Sequence, residues 1–175
     1  TMGMDWKRAP SGVMAAFLTH CLGFNGLPED QNAEVQWVED CCEALGAEHH
    51  GKKLGTFGLA SNFSFYYAHH MTTVEGGMIC TSDRKFYETC RMLRAHGLLR
   101  ECSDPDYRRQ VEQAYPDLDP QFIFVMPGYN MRPTEIQAVM GRSQLKRLDG
   151  NVEARSANLR LFLEALDPGK YRTRY

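Results

Sequence analysis

Three stretches of the chain carry side chains whose type and spacing could do chemistry. Val38-Glu39-Asp40 closes a short apolar run with two carboxylates, so Asp40 stands where a strand would end. Ser64-Phe65-Tyr66-Tyr67-Ala68-His69-His70 places a hydroxyl five residues before the first of two adjacent histidines. Gly128-Tyr129-Asn130-Met131-Arg132-Pro133-Thr134-Glu135 sets a side-chain amide in a glycine- and proline-bounded loop. Histidine moves protons near neutral pH, which makes His69 a candidate acid–base group. Taken alone, a histidine pair in a polar loop is more often solvated or structural, and His70 reads as a residue that packs or bonds locally. Asp40 alone would serve as a helix cap, and Ser64 as a plain strand serine. His96 and Arg100 follow a predicted helix. They suit its C-terminal dipole, or, because arginine matches phosphate geometry, a phosphate group.

These residues need elements to hold them. Short apolar or β-prone runs predict strands at 15–22, 35–40, 62–67, 77–81 and 122–126. A helix follows the fourth strand, capped by Ser82, with Phe86, Cys90 and Leu93 on one face and Gly97 as its stop. A short helix is expected over 106–114, between Pro105 and Pro116. Thr134 is placed to cap another, lined on one side by Ile136, Val139 and Met140. A last amphipathic helix over about 152–166 turns Leu159, Phe162, Leu163 and Leu166 inward. His49-His50 with Lys52-Lys53 reads as a solvated hairpin tip, and Gly76-Gly77 as a tight turn. Strands interleaved with helices argue for an α/β layered domain with a largely parallel sheet. One tension stands out. Residues 24–34 lack helical periodicity and are barely long enough for a parallel crossover. Either the first two strands are not parallel neighbours, or part of the chain is missing.

Composition narrows the function classes. The 175 residues are 43% apolar and 24% charged, as in an ordinary globular domain. Twenty basic and 22 acidic residues leave a net charge of −2, so no electrostatic footprint for nucleic acid exists. No apolar run approaches the roughly 18 residues of a membrane span. The opening Thr1-Met2-Gly3-Met4-Asp5-Trp6 has no signal-peptide character. The six cysteines form no CxxC pair and no zinc spacing, so the expectation is reduced thiols in a cytoplasmic protein, with no metal.

Together and in this order, the three stretches resemble the DegT/DnrJ/EryC1/StrS sugar aminotransferase family, from about Leu18 to Arg147 and more loosely to the C-terminus. The resemblance implies a partial large domain of the pyridoxal-phosphate-dependent aspartate-aminotransferase fold, an α/β three-layer sandwich with a mostly parallel sheet. Residues 1–150 would be part of that cofactor-binding domain. Residues 151–175 would begin the helix leading to a small domain that lies outside this chain, about half of a typical member being present. By position, Asp40 would face the pyridine nitrogen and keep it protonated. Glu43 takes the place of a glutamine near the ring hydroxyl. Ser64 would bind the cofactor phosphate, and Asn130 the phosphate in a neighbouring subunit, which implies a homodimer with shared sites.

The departure from the family pattern is His69, which stands where the aminotransferases have the lysine that bonds to the cofactor. That swap resembles the dehydratase branch of the family. It implies pyridoxal 5'-phosphate and pyridoxamine 5'-phosphate as cofactor forms, a nucleotide-linked 4-keto-6-deoxy sugar as substrate and glutamate as amino donor. Such enzymes feed 3,6-dideoxy sugar (colitose) synthesis for lipopolysaccharide. His69 would remove a proton from the methylamine carbon and give one to the departing 3-hydroxyl. His96 and Arg100 would touch the sugar or its phosphate. One subgroup holds an iron–sulfur cluster by closely spaced cysteines after the helix at 83–96, where this chain has only Cys102. Two other readings stay open: a non-catalytic family remnant that still dimerises, and an aminotransferase homologue that has lost its lysine.

Overall fold

The computed structural model describes residues 10–28, 34–171 and 173. The chain divides into two compact units, one made of Thr1–Cys80 with Glu135–Tyr175, the other of Thr81–Thr134.

The first unit is organised by a four-stranded sheet in the order β1-β2-β5-β6. Its strands are β1 (Ala15–Thr19), β2 (Gln36–Asp40), β5 (Ala60–Ser64) and β6 (Gly77–Cys80). β1, β2 and β5 run parallel, and β6 pairs antiparallel to β5. The first two strands are therefore parallel neighbours. The connection between Gly26 and Glu34 falls largely on residues outside the described ones. Between β2 and β5 lies a hairpin of β3 (Glu48–His49) and β4 (Lys52–Lys53). His50 and Gly51 at its tip have φ of 50° and 73°, the twist that a two-residue hairpin requires.

Side chains alternate across the sheet, and its two faces have different fates. Leu18, Glu39 and Ser61 stand opposite one another in register and are fully buried. Around them packs a core of Leu18, Leu27, Val35, Trp37, Cys41, Ala44 and Leu54. The other face carries Phe17, Asp40, Asn62 and Ile79. Phe17 is 62% exposed and Ile79 56%. A layered fold covers such a face with helices.

β1 ends three residues sooner than its apolar run, because His20 leaves the strand and residues Cys21–Gly23 form a 3-10 turn with Leu22 at φ 54°. The fifth strand ends at Ser64 because the Phe65 N–H turns to the Gly76 carbonyl, 2.9 Å away. Two helices complete the unit: α3 (Glu135–Leu145), starting directly after Thr134, and α4 (Leu148–Ala165). α4 starts before the expected 152. Phe162 does not turn inward but is 62% exposed, and Leu159, 43% exposed, faces an open cavity rather than a packed core. Ile136 and Val139 of α3 are exposed as well. Periodicity marks an apolar stripe; it does not say that the same chain covers it.

The second unit opens with α1 (Arg84–Leu93). Asp83 caps it rather than Ser82, its Oδ1 accepting the Phe86 N–H at 2.7 Å. Asp83 sits three residues before Phe86, the spacing a cap requires. The buried positions of α1 are Glu88 and Met92, while Phe86, Cys90 and Leu93 are half-buried. Gly97, at φ 76°, ends the turn with its N–H on the Met92 carbonyl. α2 (Pro105–Ala114) is capped by Asp104. Residues 122–126 are not a strand. Pro120–Phe122 form a 3-10 turn, and the only ladder contact of the run is a bridge from Phe124 to Leu98. Ile123 is buried at 3%, but Phe122 and Phe124 are more than half exposed. Phe122 is spent on the 3-10 turn, Pro127 has no N–H to pair, and the run meets only the short backbone stretch Gly97–Leu99.

Glu88 is the buried carboxylate of this unit and gathers several short polar contacts. It accepts the Ser103 N–H at 2.7 Å and the Ser103 hydroxyl at 2.6 Å, and pairs with Arg84 at 2.7 Å. Burial alone would raise its carboxyl; those bonds, with Cys102 and Arg84, outweigh burial and hold it below the ordinary value. A lowered folded value means that its stabilisation is complete above the ordinary carboxylate range and is lost as pH falls. We expect the thermal midpoint of the unit to drop as pH falls through roughly 4, and Glu88→Gln to flatten that dependence while costing about 2 kcal/mol at neutral pH. Circular-dichroism melts across that range check it; an unchanged slope in the variant would contradict the assignment.

Candidate active site

The loop from Phe65 to Gly76 is tied into a fixed shape. The Thr73 N–H and Thr72 hydroxyl both donate to the Phe65 carbonyl, at 2.9 and 3.2 Å, and the Thr73 hydroxyl donates to the Glu75 carbonyl at 2.8 Å. Gln137 of α3 reaches across to the same Glu75 carbonyl at 2.6 Å. Held inside this loop, the His69 N–H closes a turn on the Tyr66 carbonyl at 3.2 Å. The His69 ring stands edge-on to Tyr66, with centroids 5.9 Å apart.

His69 opens on a cavity of about 570 Å³ lined by Leu22–Phe24, Glu43–Leu45, Ala47, Ala68–His70 and the α4 residues Val152, Arg155, Ser156, Asn158 and Leu159. Glu43 binds the Leu22 N–H at 2.6 Å and so holds that left-handed residue in place. His70 differs from His69. Burial, then the Arg155 charge, then His69, push it below the ordinary imidazole value, against an opposing pull from Glu43. Its Nδ1 is buried without a hydrogen-bond partner. The cavity thus combines one imidazole biased to neutrality, a second beside it, a carboxylate and a guanidinium.

Asp40 and Ser64 do not line this cavity. Asp40 ends β2 on the open face of the sheet. Its Oδ1 accepts the Cys42 N–H at 3.1 Å and the Asn62 amide at 3.0 Å, and its Oδ2 the Thr19 hydroxyl at 3.4 Å. Burial would raise its carboxyl, but the hydrogen bonds from Cys42, Asn62 and Thr19 prevail and hold it below the ordinary value. Beside it, Asn62 Oδ1 is a buried acceptor with no partner. An ionised carboxylate next to an orphan acceptor is a pair of acceptors that fits a cationic ring N–H, which donates. The Ser64 hydroxyl accepts the Tyr66 N–H at 3.3 Å and keeps its own proton to give.

The remaining sequence candidates belong to the second unit. Asn130 bridges Ala95 through its backbone and leaves its side chain exposed. His96 sits at φ 64°, with its N–H on the Tyr129 carbonyl at 2.7 Å, and is also exposed. Arg100 donates to the Gln121 carbonyl at 3.3 Å and lies over the Phe122 ring at 5.8 Å.

Sequence reasoning missed Arg155 and the α4 wall. The available signal was the spacing of Val152, Arg155 and Leu159, which puts them on one helix face. It also missed His20, Glu39 and Cys41, whose ligand-type atoms lie within 4.8 Å of one another, all fully buried. Both His20 nitrogens and both Glu39 oxygens are already hydrogen-bonded, so the trio lacks the free lone pairs of a metal centre. All six cysteines are free. Burial, with the Glu39 and Asp40 charges, pushes Cys41 up to about 12. No helix among the described residues is long and apolar enough to cross a membrane.

Comparison with known proteins follows these features. The profile of the DegT/DnrJ/EryC1/StrS aminotransferase family matches residues 30–173. A GDP-4-keto-6-deoxy-D-mannose 3-dehydratase of Yersinia pseudotuberculosis is 38% identical over 142 residues, covering 81% of this chain and 36% of that protein. A dTDP-4-dehydro-2,6-dideoxy-D-glucose 3-dehydratase of Saccharopolyspora spinosa is 33% identical, covering 87% of this chain and 36% of that protein. The solved Escherichia coli GDP-4-keto-6-deoxy-D-mannose 3-dehydratase with bound hydrated pyridoxal phosphate superposes with a TM-score of 0.72 at 31% identity, over 90% of this chain and 42% of that one. The fold is therefore a partial large domain of the aminotransferase type, mostly parallel and α/β. The chain spans 36% of the length of these curated relatives, less than the half expected.

Proposed function

We propose, from the premise that the chain belongs to the DegT/DnrJ/EryC1/StrS aminotransferase family, that it supplies the acid–base centre of a pyridoxal/pyridoxamine phosphate-dependent 3-dehydratase. The substrate class is a nucleotide-linked 4-keto-6-deoxy sugar, with glutamate as amino donor. One observation carries the reading: position 69, five residues after Ser64, is a histidine, and the segment 64–71 contains no lysine.

Each residue then has a task. Asp40, held ionised, takes the cationic ring N–H. The bound cofactor supplies an electron sink through which the bond to the 3-hydroxyl is weakened. Ser64 donates its hydroxyl proton to the cofactor phosphate. Glu43, an acceptor only, requires the ring hydroxyl to keep its proton. His69 takes a proton from carbon and delivers one to the departing hydroxyl. His70, biased to neutrality, adds no positive charge beside it. His96 and Arg100 serve the sugar nucleotide, Arg100 after giving up its bond to Gln121. Asn130 reaches the phosphate in the second copy of a homodimer. Residues 1–150 act as part of the cofactor-binding domain, and 151–175 lead towards the small domain. The product class is the 3,6-dideoxy sugar precursor (colitose) of lipopolysaccharide, made in the cytoplasm.

A second reading, a family remnant without catalysis, is favoured by the exposure of Phe17 and Ile79 on the sheet face that carries Asp40. One titration separates the two. Pyridoxal phosphate and pyridoxamine phosphate are added to the chain and followed by absorbance, with a borohydride trap. Saturable binding without a covalent adduct supports the dehydratase reading. No binding supports the remnant, and an adduct that rises with saturable binding and maps to a single lysine, rather than to exposed residues such as Lys52 and Lys53, overturns the role of His69.

A further inference from the structure

His20 and Glu39 are the most deeply buried ionisable pair among the described residues, both 0% exposed, and no step proposed above uses them. His20 follows β1 and Glu39 lies in β2. The His20 Nδ1 is 3.0 Å from the Gly26 N–H. A backbone N–H can only donate, so Nδ1 must be the acceptor and the neutral ring carries its proton on Nε2. That proton points at Glu39 Oε2, 3.1 Å away. The same oxygen accepts the Gly55 N–H at 2.7 Å. The other, Oε1, accepts the Phe57 and Gly58 N–H groups, each at 2.7 Å. One carboxylate thus collects four N–H donors from two separate loops.

Such charge-assisted bonds are the strong ones, and inside a core they fix geometry as well as energy. A carboxylate so occupied has no lone pair left for proton transfer. What it can do is hold position. Glu39 precedes Asp40, and the two side chains leave β2 on opposite faces. On the main chain, the His20 N–H donates to the Asp40 carbonyl at 3.0 Å. His20 therefore grips the end of β2 twice, by its backbone at Asp40 and by its ring at Glu39.

We infer that His20 and Glu39 form a latch behind the sheet that sets where the Asp40 carboxylate points. They are positioning residues for the ring-nitrogen contact, and this rests on the reading of Asp40 given above. The latch predicts that loosening the far face moves the near one. The Cys42 N–H and the Asn62 side-chain amide report on it, because both donate to Asp40 Oδ1.

Nuclear magnetic resonance of the isotope-labelled chain tests this in two ways. In the native protein, long-range nitrogen–proton correlations should show the His20 ring protonated on Nε2. A ring protonated on Nδ1 overturns the latch. In His20→Leu, the Cys42 and Asn62 amide protons should lose the downfield shift of a carboxylate-bound N–H, while His20→Gln, which can still donate to Glu39, retains it. A His20→Leu chain that is folded and leaves both protons unmoved overturns the proposal, since a purely stabilising role predicts that result. Should His20→Leu not fold, Glu39→Asp is read the same way. It keeps the charge but withdraws it by one methylene, and unmoved protons again overturn the latch. Pyridoxal phosphate binding by Asp40→Asn is measured separately. Unchanged affinity there sinks the role of Asp40 towards the ring and leaves the latch to stand or fall on the amide protons.

Discussion

The His69→Lys chain, given pyridoxal phosphate and then borohydride, becomes covalently labelled at position 69, whereas the native chain does not. The argument is chemical. A primary amine adds to an aldehyde, loses water and forms a reducible link; an imidazole cannot form that stable link. Geometry favours the reaction. Position 69 sits in a loop fixed by the Phe65, Thr73 and Glu75 bonds and opens on the cavity. Burial and the Arg155 charge already push the neighbouring His70 towards neutrality. The readout is the mass of the labelled peptide. Reversible binding of the cofactor to the variant with no label after reduction would show that residue 69 does not face the aldehyde carbon. The effect is close to all-or-none, which makes it the sharpest test of the site.

Gly97→Ala should unfold or nearly unfold the Thr81–Thr134 unit. Gly97 has φ 76°, and a Cβ there would overlap the Met126 carbonyl oxygen. The same backbone passes Gly128 so closely that a Cβ on that residue would overlap the Gly97 nitrogen. A left-handed alanine costs roughly 1–2 kcal/mol, and an overlap with backbone, which cannot rotate away, adds roughly 1–3 kcal/mol. Their sum is a large part of the roughly 5–15 kcal/mol that holds a domain. Gly150→Ala is the control. It lies in α4 with nothing within 4 Å of the added carbon, so stability should hold or rise by up to about 1 kcal/mol. Urea melts of both variants decide. Equal midpoints for Gly97→Ala and the native chain would mean that the two backbones do not pass as closely as described.

What could be read from the sequence, and what could not, divides along physical lines. The ends of β2 and α1 were legible because local chemistry marks them: a carboxylate closing an apolar run at Asp40, and a glycine stop at Gly97. The hairpin at His50-Gly51 was legible for the same reason. Ser82 reads as the cap where Asp83 serves, because both are good cappers and only the register of the first turn separates them. Phe122–Met126 looked like a strand because apolar runs carry no sign of whether a neighbour exists; here the partner backbone at Gly97–Leu99 is too short to extend a ladder. Phe162 failed on the same point, since an apolar stripe is a property of the helix and its cover is not. His69 and Glu43 were brought into one cavity, and Asp40 with Asn62 onto one face. The His20–Glu39 contact spans 19 residues and leaves no periodic trace. Its only sign was a titratable residue ending each of two apolar runs.

The order of the chain also sets a schedule. Residues 81–134 form a contiguous unit, while the sheet unit must wait for its second segment, Glu135–Tyr175. A ribosome releases the chain from the N-terminus, and domains fold as they become complete. All four strands and His69 therefore emerge before the wall of their cavity, which arrives with Val152, Arg155 and Leu159 of α4. During synthesis the middle unit can be finished first, and the loop that carries His69 spends that interval with one side open to water. Nascent chains stalled at the point where residue 134 has left the ribosomal exit tunnel and α4 has not should therefore protect the amides of α1 and α2 from exchange, while those of the loop around His69 exchange freely until α4 has emerged.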